Sequence, residues 1–171
     1  VGVGLPEFDE DKYKNPVDAI PYILSYDNIQ EQLVTIKRII NRDDSPDDVA
    51  ILLPTNNGVK LVSRYLTELD VPHEVKYNDV NRRDELDFNT TNPKVMTYHS
   101  AKGLQFETVF VPCVDSYRVW DEGYSNALYV AMTRTYRDLY VMYSGSMPEV
   151  LKKIPCELYK NSVDKNAIDD I

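Results

Sequence analysis

Val49-Ala-Ile-Leu-Leu-Pro54 is the stretch that most limits how this chain can fold. It is an apolar run with a turn signal on each side, the charged Asn41–Asp48 (NRDDSPDD) before it and Asn57-Gly58 after it. A run so short, with no polar alternation, reads as a strand covered on both faces, the habit of a parallel sheet held between helices. Its neighbours agree. Residues Asn28 to Asn41 set Ile29, Leu33, Ile36, Ile39 and Ile40 at helical spacing, with Asp27 as the cap. Downstream, Val59, Val62, Tyr65, Leu66 and Leu69 mark a second amphipathic helix. Ile20 to Tyr26 predicts a short strand whose Pro21 confines its pairing, and Val71 to Tyr77 a weaker one. Lys94–His99, Thr108–Cys113 and Asp138–Ser144 are three more strands, with a helix over Ser125–Arg137 ahead of the last. Strands separated by helices predict an α/β domain with a mostly parallel sheet.

The 171 residues suit one domain with a core that needs neither disulfides nor metals. Residues 1–19 hold Glu7, Asp9, Glu10 and Asp11 with no apolar period and read as an acidic linker or arm. The domain proper is expected over 20–150, and 151–171 as a C-terminal tail with one short amphipathic segment around Val150-Leu151. The chain opens Val1-Gly2 rather than with Met, so it reads as a piece of something longer. No basic flank leads into an apolar stretch there, so no signal peptide is expected. No run of 18 apolar residues is present, so no membrane span is expected. Cys113 and Cys156 cannot build a disulfide framework and fit a reducing cytoplasm, with Cys113 read as a core thiol. His73 and His99 lie far apart, and no metal site is expected.

Net charge is −9, which by itself argues against a domain that grips nucleic acid by bulk charge. The acid is uneven, however. Residues 1–93 carry 10 basic and 18 acidic side chains, whereas residues 94–140 carry 5 of each. The neutral middle is where a phosphate would approach most easily.

Two polar segments stand in that middle, and open α/β sheets bind ligands outside the carboxyl ends of their strands. In Thr97-Tyr-His-Ser-Ala-Lys-Gly-Leu-Gln-Phe106 the strand delivers Thr97 and His99, and a turn presents Ser100, Lys102 and the Gly103 backbone. Hydroxyl, imidazole, ammonium and bare amide are all donors suited to phosphate oxygens. In Ala127-Leu-Tyr-Val-Ala-Met-Thr-Arg-Thr135, Arg134 stands at the far end of a helix. Each segment alone has a plainer reading: Lys102-Gly103 as a solvated turn, Arg134 as a partner for the helix dipole.

Together, THSAKGLQF followed by YVAMTRT resembles motifs V and VI of the UvrD/PcrA/Rep-like superfamily 1 DNA helicases, whose patterns run T-x-H-x-x-K-G-L-E-F and Y-V-A-x-T-R-A. Thr97, His99, Lys102, Gly103, Leu104 and Phe106 match the first, and Tyr129, Val130, Ala131, Thr133 and Arg134 the second. Val49 to Leu69 is similar to the strand–helix segment that opens the family's second RecA-like domain, so the resemblance covers about residues 45–146. It implies a RecA-like, three-layer α/β domain with a mostly parallel sheet. Sixteen residues, Asn78 to Pro93, stand where many UvrD-like enzymes insert a further domain, so the chain resembles the compact members that lack it.

The resemblance also implies a division of labour. Such motors hydrolyse ATP with Mg²⁺ between two RecA-like domains, the first carrying the Walker A loop and the metal-binding carboxylates. No G-x-x-x-x-G-K-[ST] occurs here, and no acidic pair follows an apolar strand. The chain is thus expected to be the second domain, with the N-terminal RecA-like domain of the same protein and single-stranded or duplex DNA as partners, and DNA repair as a setting. Arg134 is expected as an arginine finger, a role worth roughly 10³–10⁵ in rate. Lys102, Gly103, Gln105 and Tyr129 are expected on the nucleotide side, and Thr97, His99 and Ser100 on the DNA side. Gln105 departs from the family's Glu, so it accepts from a ribose hydroxyl without charge. Pro54 replaces a common Arg, and Ser125-Asn126-Ala127-Leu128 stands where basic residues are frequent. The second reading is a helicase-derived binding or scaffold module without catalysis, which the acid excess and Gln105 favour.

Overall fold

The computed structural model describes residues 20–77, 86, 89–115 and 121–163; the acidic arm and most of the Asn78–Pro93 loop lie outside the described residues. The elements run β1 (Tyr22–Tyr26), α1 (Ile29–Ile40), β2 (Val49–Leu53), α2 (Asn56–Glu68), β3 (Glu74–Lys76), β4 (Lys94–Thr97), β5 (Phe106–Val111), α3 (Glu122–Met132), β6 (Thr135–Ser144) and α4 (Glu149–Lys152). Six strands form one sheet in the order β1-β6-β5-β2-β4-β3, and every pairing is parallel.

β2 shows why the sheet is a middle layer. Val49, Ile51 and Leu53 enter one apolar cluster with Leu33, Ile36 and Ile39 of α1 and Val59, Val62 and Leu66 of α2. Ala50 and Leu52 enter the other, with Leu128 and Ala131 of α3 and Val150 and Leu151 of α4. All five residues of β2 are buried, so the apolar run predicted from sequence is covered on both faces. The RecA-like three-layer expectation holds.

Several boundaries moved, each for a local reason. Asn28, not Asp27, caps α1: its side chain accepts from the Glu31 N–H at 3.0 Å, while the Glu31 carboxylate reaches back to the Asp27 N–H. Asn57-Gly58 does not break the chain but lies in the first turn of α2, because the Thr55 hydroxyl caps the Gly58 N–H at 3.2 Å. The helix predicted over Ser125–Arg137 starts earlier, at Glu122 behind an Asp121 cap, and ends at Met132. Thr135 is then taken by the sheet, where it pairs with Phe106, so β6 begins three residues ahead of Asp138.

The segment after residue 150, set apart as a tail by the sequence pattern, packs on the domain. Leu151 is fully buried. Lys160 bridges Tyr22 on the outer side of β1, with its N–H donating to the Pro21 carbonyl and its own carbonyl accepting from the Ile23 N–H, both at 2.9 Å.

Candidate nucleotide and nucleic-acid surfaces

The sheet's parallel register assigns each candidate residue to an edge. Thr97 is level with Leu53 at the carboxyl end. Phe106 lies two residues before Thr108, which is level with Val49 at the amino end. The Thr97–Phe106 segment therefore runs back from one edge of the sheet to the other. It does so in consecutive tight turns, with the Ala101 N–H bonded to the Thr97 carbonyl, Lys102 to His99 and Leu104 to Ala101. Ala101 and Leu104 hold it against the cluster under α3.

At the carboxyl edge, Thr97 is buried. Its hydroxyl donates to the Ser100 hydroxyl at 3.0 Å and accepts from the Ser100 N–H at 3.1 Å. This small turn leaves His99 and Lys102 exposed. The Tyr98 N–H donates to the Leu53 carbonyl at 2.9 Å, so the turn adjoins the Pro54-Thr55 entry to α2. Gly103 has φ +83°, with open space where a side chain would stand. Its glycine is required by left-handed backbone rather than by close approach of another group.

Along the same edge the structure adds residues that the motif comparison overlooked. A cavity of about 380 Å³ is lined by Leu53, Thr55, Asn57, Gly58, Cys113, Asp115 and Ser144 among others. Gln32 braces one wall from α1: its amide nitrogen donates to the Ser144 hydroxyl at 2.7 Å, and its carbonyl oxygen accepts from the Cys113 N–H at 2.9 Å. Cys113 itself has φ +60°, an uncommon conformation for a side-chain-bearing residue. It is partly exposed, not the enclosed core thiol that its apolar strand predicted. The signal in the sequence was the position of Gln32, a polar side chain at helical spacing between Ile29 and Ile36 on the apolar stripe, whose burial only the structure shows.

Arg134 stands elsewhere. It precedes Thr135 at the amino end of β6, so the expectation that both polar segments gather at the carboxyl ends is corrected: helix α3 returns the chain to the opposite edge before β6 begins. There the Phe106 N–H donates to the Arg134 carbonyl at 2.8 Å, which brings Gln105 and Arg134 to one edge. The Arg134 Nε donates to the Val130 carbonyl at 3.1 Å, and Nη2 to the Thr133 hydroxyl at 3.4 Å. The guanidinium thus folds over the last turn of α3, where a cation suits the helix dipole. The Tyr129 hydroxyl donates to the Val150 carbonyl at 3.3 Å, tying α3 to α4. The candidate residues therefore form two groups: Thr97, His99 and Ser100 at the carboxyl edge, and Gln105 and Arg134 at the amino edge, with Lys102 and Gly103 on the span between them.

Residues 94–142 match the family model of the UvrD-like helicase C-terminal domain. No curated protein matches the sequence. Among solved structures, the chain is similar to the C-terminal domain of a possible DNA helicase from Lactobacillus plantarum WCFS1, at 18% identity and a TM-score of 0.68, covering 89% of this chain and 91% of that one. It is also similar to the DEAD-box protein SrmB of E. coli, solved with regulator of ribonuclease activity A, at 12% identity and a TM-score of 0.59, covering 90% and 95%. At such identities these likenesses establish the fold.

Proposed function

We propose, from the premise that residues 94–142 carry the UvrD-like helicase C-terminal pattern, that this chain is the second motor domain of an ATP-dependent DNA helicase or translocase. One observation carries the reading: the Phe106 N–H bonded to the Arg134 carbonyl joins the exit of the first motif to the end of the second. One edge then offers a charged fork, and the opposite edge offers hydroxyl, imidazole and amide groups.

Arg134 acts as the arginine finger. Its guanidinium leaves the end of α3, where one of its two bonds is long, and reaches the γ-phosphate of ATP held by a facing RecA-like domain. There it meets charge that grows in the transition state, where a fixed cation is most effective. Gln105 stands beside it, suited to a ribose hydroxyl, with Gly103 shaping the turn and Lys102 supplying charge. That facing domain supplies Mg²⁺ and most of the phosphate contacts. His99 and Ser100 face the single strand, while the buried Thr97 holds Ser100 in place from beneath rather than touching the strand itself. Because the candidate nucleotide and DNA groups sit at opposite ends of one short span, movement at one edge is transmitted to the other through Thr97–Phe106.

The test is turnover by the complete protein. Arg134→Ala is expected to lower kcat by roughly 10³-fold or more while ATP binding persists. Near-normal turnover would sink the finger assignment. A wild-type protein that binds DNA but never hydrolyses ATP would instead favour the scaffold reading.

A further inference from the structure

We infer that Thr135, Glu107 and Arg137 form a clamp that positions Arg134, making them positioning residues for ATP turnover. The inference rests on the arginine-finger reading above. The β5–β6 ladder is irregular at its start: Phe106 pairs with Thr135, but Thr108 pairs with Asp138. Two residues of β6, Tyr136 and Arg137, therefore oppose Glu107 alone. Such a bulge re-aims side chains and bends its strand.

Left alone, a bulge that begins two residues beyond Arg134 would loosen the backbone that sets the finger's direction. The Thr135 hydroxyl fills the gap. It accepts from the Arg137 N–H at 3.2 Å and lies 2.8 Å from the Glu107 carbonyl and 2.9 Å from the Asp138 carbonyl. Its single proton serves one of these acceptors at a time. Outside the ladder, the Arg137 guanidinium pairs with the Glu107 carboxylate, which also accepts from the Asp47 N–H at 3.2 Å. Glu107 thus binds the start of β6 to the turn before β2. Immediately ahead of these contacts lies the Phe106–Arg134 bond. The clamp surrounds that bond on the strand side and fixes how Gln105 and Arg134 face each other.

Thr135 is the sharpest probe, because valine keeps its shape without the hydroxyl and serine keeps the hydroxyl. In the complete protein, Thr135→Val is expected to lower kcat by roughly tenfold to 10²-fold while KM for ATP changes little, since a misplaced finger is felt in the transition state. Thr135→Ser should restore turnover. In this chain, Thr135→Val should also speed hydrogen exchange at the Phe106 amide. Glu107→Gln provides a second variant if Thr135→Val fails to fold, with the same kcat-selective loss expected.

An unchanged kcat in a folded variant, or failure of serine to rescue, would overturn the clamp. Arg134→Ala run alongside separates the two readings. Loss with Arg134→Ala but not with Thr135→Val or Glu107→Gln overturns the clamp alone, whereas normal turnover by Arg134→Ala overturns the finger and the clamp together.

Discussion

Asp138 illustrates how a single carboxyl can be held against its preference. Burial raises its pKa above the usual carboxylate value, and the neighbouring Arg137 opposes that rise only in part. A folded-state pKa above the unfolded one means that the group favours the fold fully at acid pH, and that this support is lost as pH rises through the folded value. At neutral pH the ionised Asp138 therefore burdens the fold. Asp138→Asn is expected to raise the denaturation midpoint at pH 7, with the gain shrinking towards zero as pH falls below the ordinary carboxylate range; an equal gain at both pH values would contradict this. Nothing in the sequence pattern marks this residue. Gly103 is the opposite case, since a glycine inside a fixed-spacing motif already signals special backbone, and its φ of +83° supplies the reason.

Among the elements, α1 has a role that its apolar stripe conceals. Gln32 is buried and links α1 to the end of β6 and to the loop after β5. Its removal would take one partner from the half-buried Cys113 N–H and one from the half-buried Ser144 hydroxyl, each loss costing up to about 1–3 kcal/mol. Gln32→Leu is expected to destabilise the domain by roughly 2–4 kcal/mol in equilibrium denaturation. A loss below about 1 kcal/mol would mean that the two bonds are dispensable. The helices themselves were readable because their periodicity is local. Their ends were less so. Asn28 displaced Asp27 as the cap of α1, the Thr55 and Asp121 side chains fixed the starts of α2 and α3, and the end of α3 was decided by the pairing of Thr135 with Phe106.

For the whole molecule, the question is where the domain stops. Polar composition after residue 150 reads as a tail, yet Val150 and Leu151 complete the cluster beneath α3 and Lys160 runs along β1. Leu151→Ala is expected to cost about 2–5 kcal/mol, the usual range for such a core truncation. Against a typical total of roughly 5–15 kcal/mol, that loss should be plain in the unfolding midpoint. A midpoint unmoved by the change would return this segment to the status of a tail. The net charge of −9 likewise says little until it is placed, because the matched region over 94–142 lies almost wholly in the neutral part of the chain.

Sequence alone determined the alternation of strands and helices, the two-sided burial of β2 and the helicase-like residue types at their spacing. These are local properties: apolar period, turn chemistry and short motifs are written in consecutive residues. Only the tertiary structure decided that Thr97 and Ser100 stand at one edge of the sheet and Arg134 at the other, because an edge is defined by strand order and register. The same long-range pairing made the bulge at Glu107, drew Gln32 to Cys113 and Ser144, and brought Lys160 to β1. Each depends on residues far apart in the chain meeting in space, which no window of sequence contains.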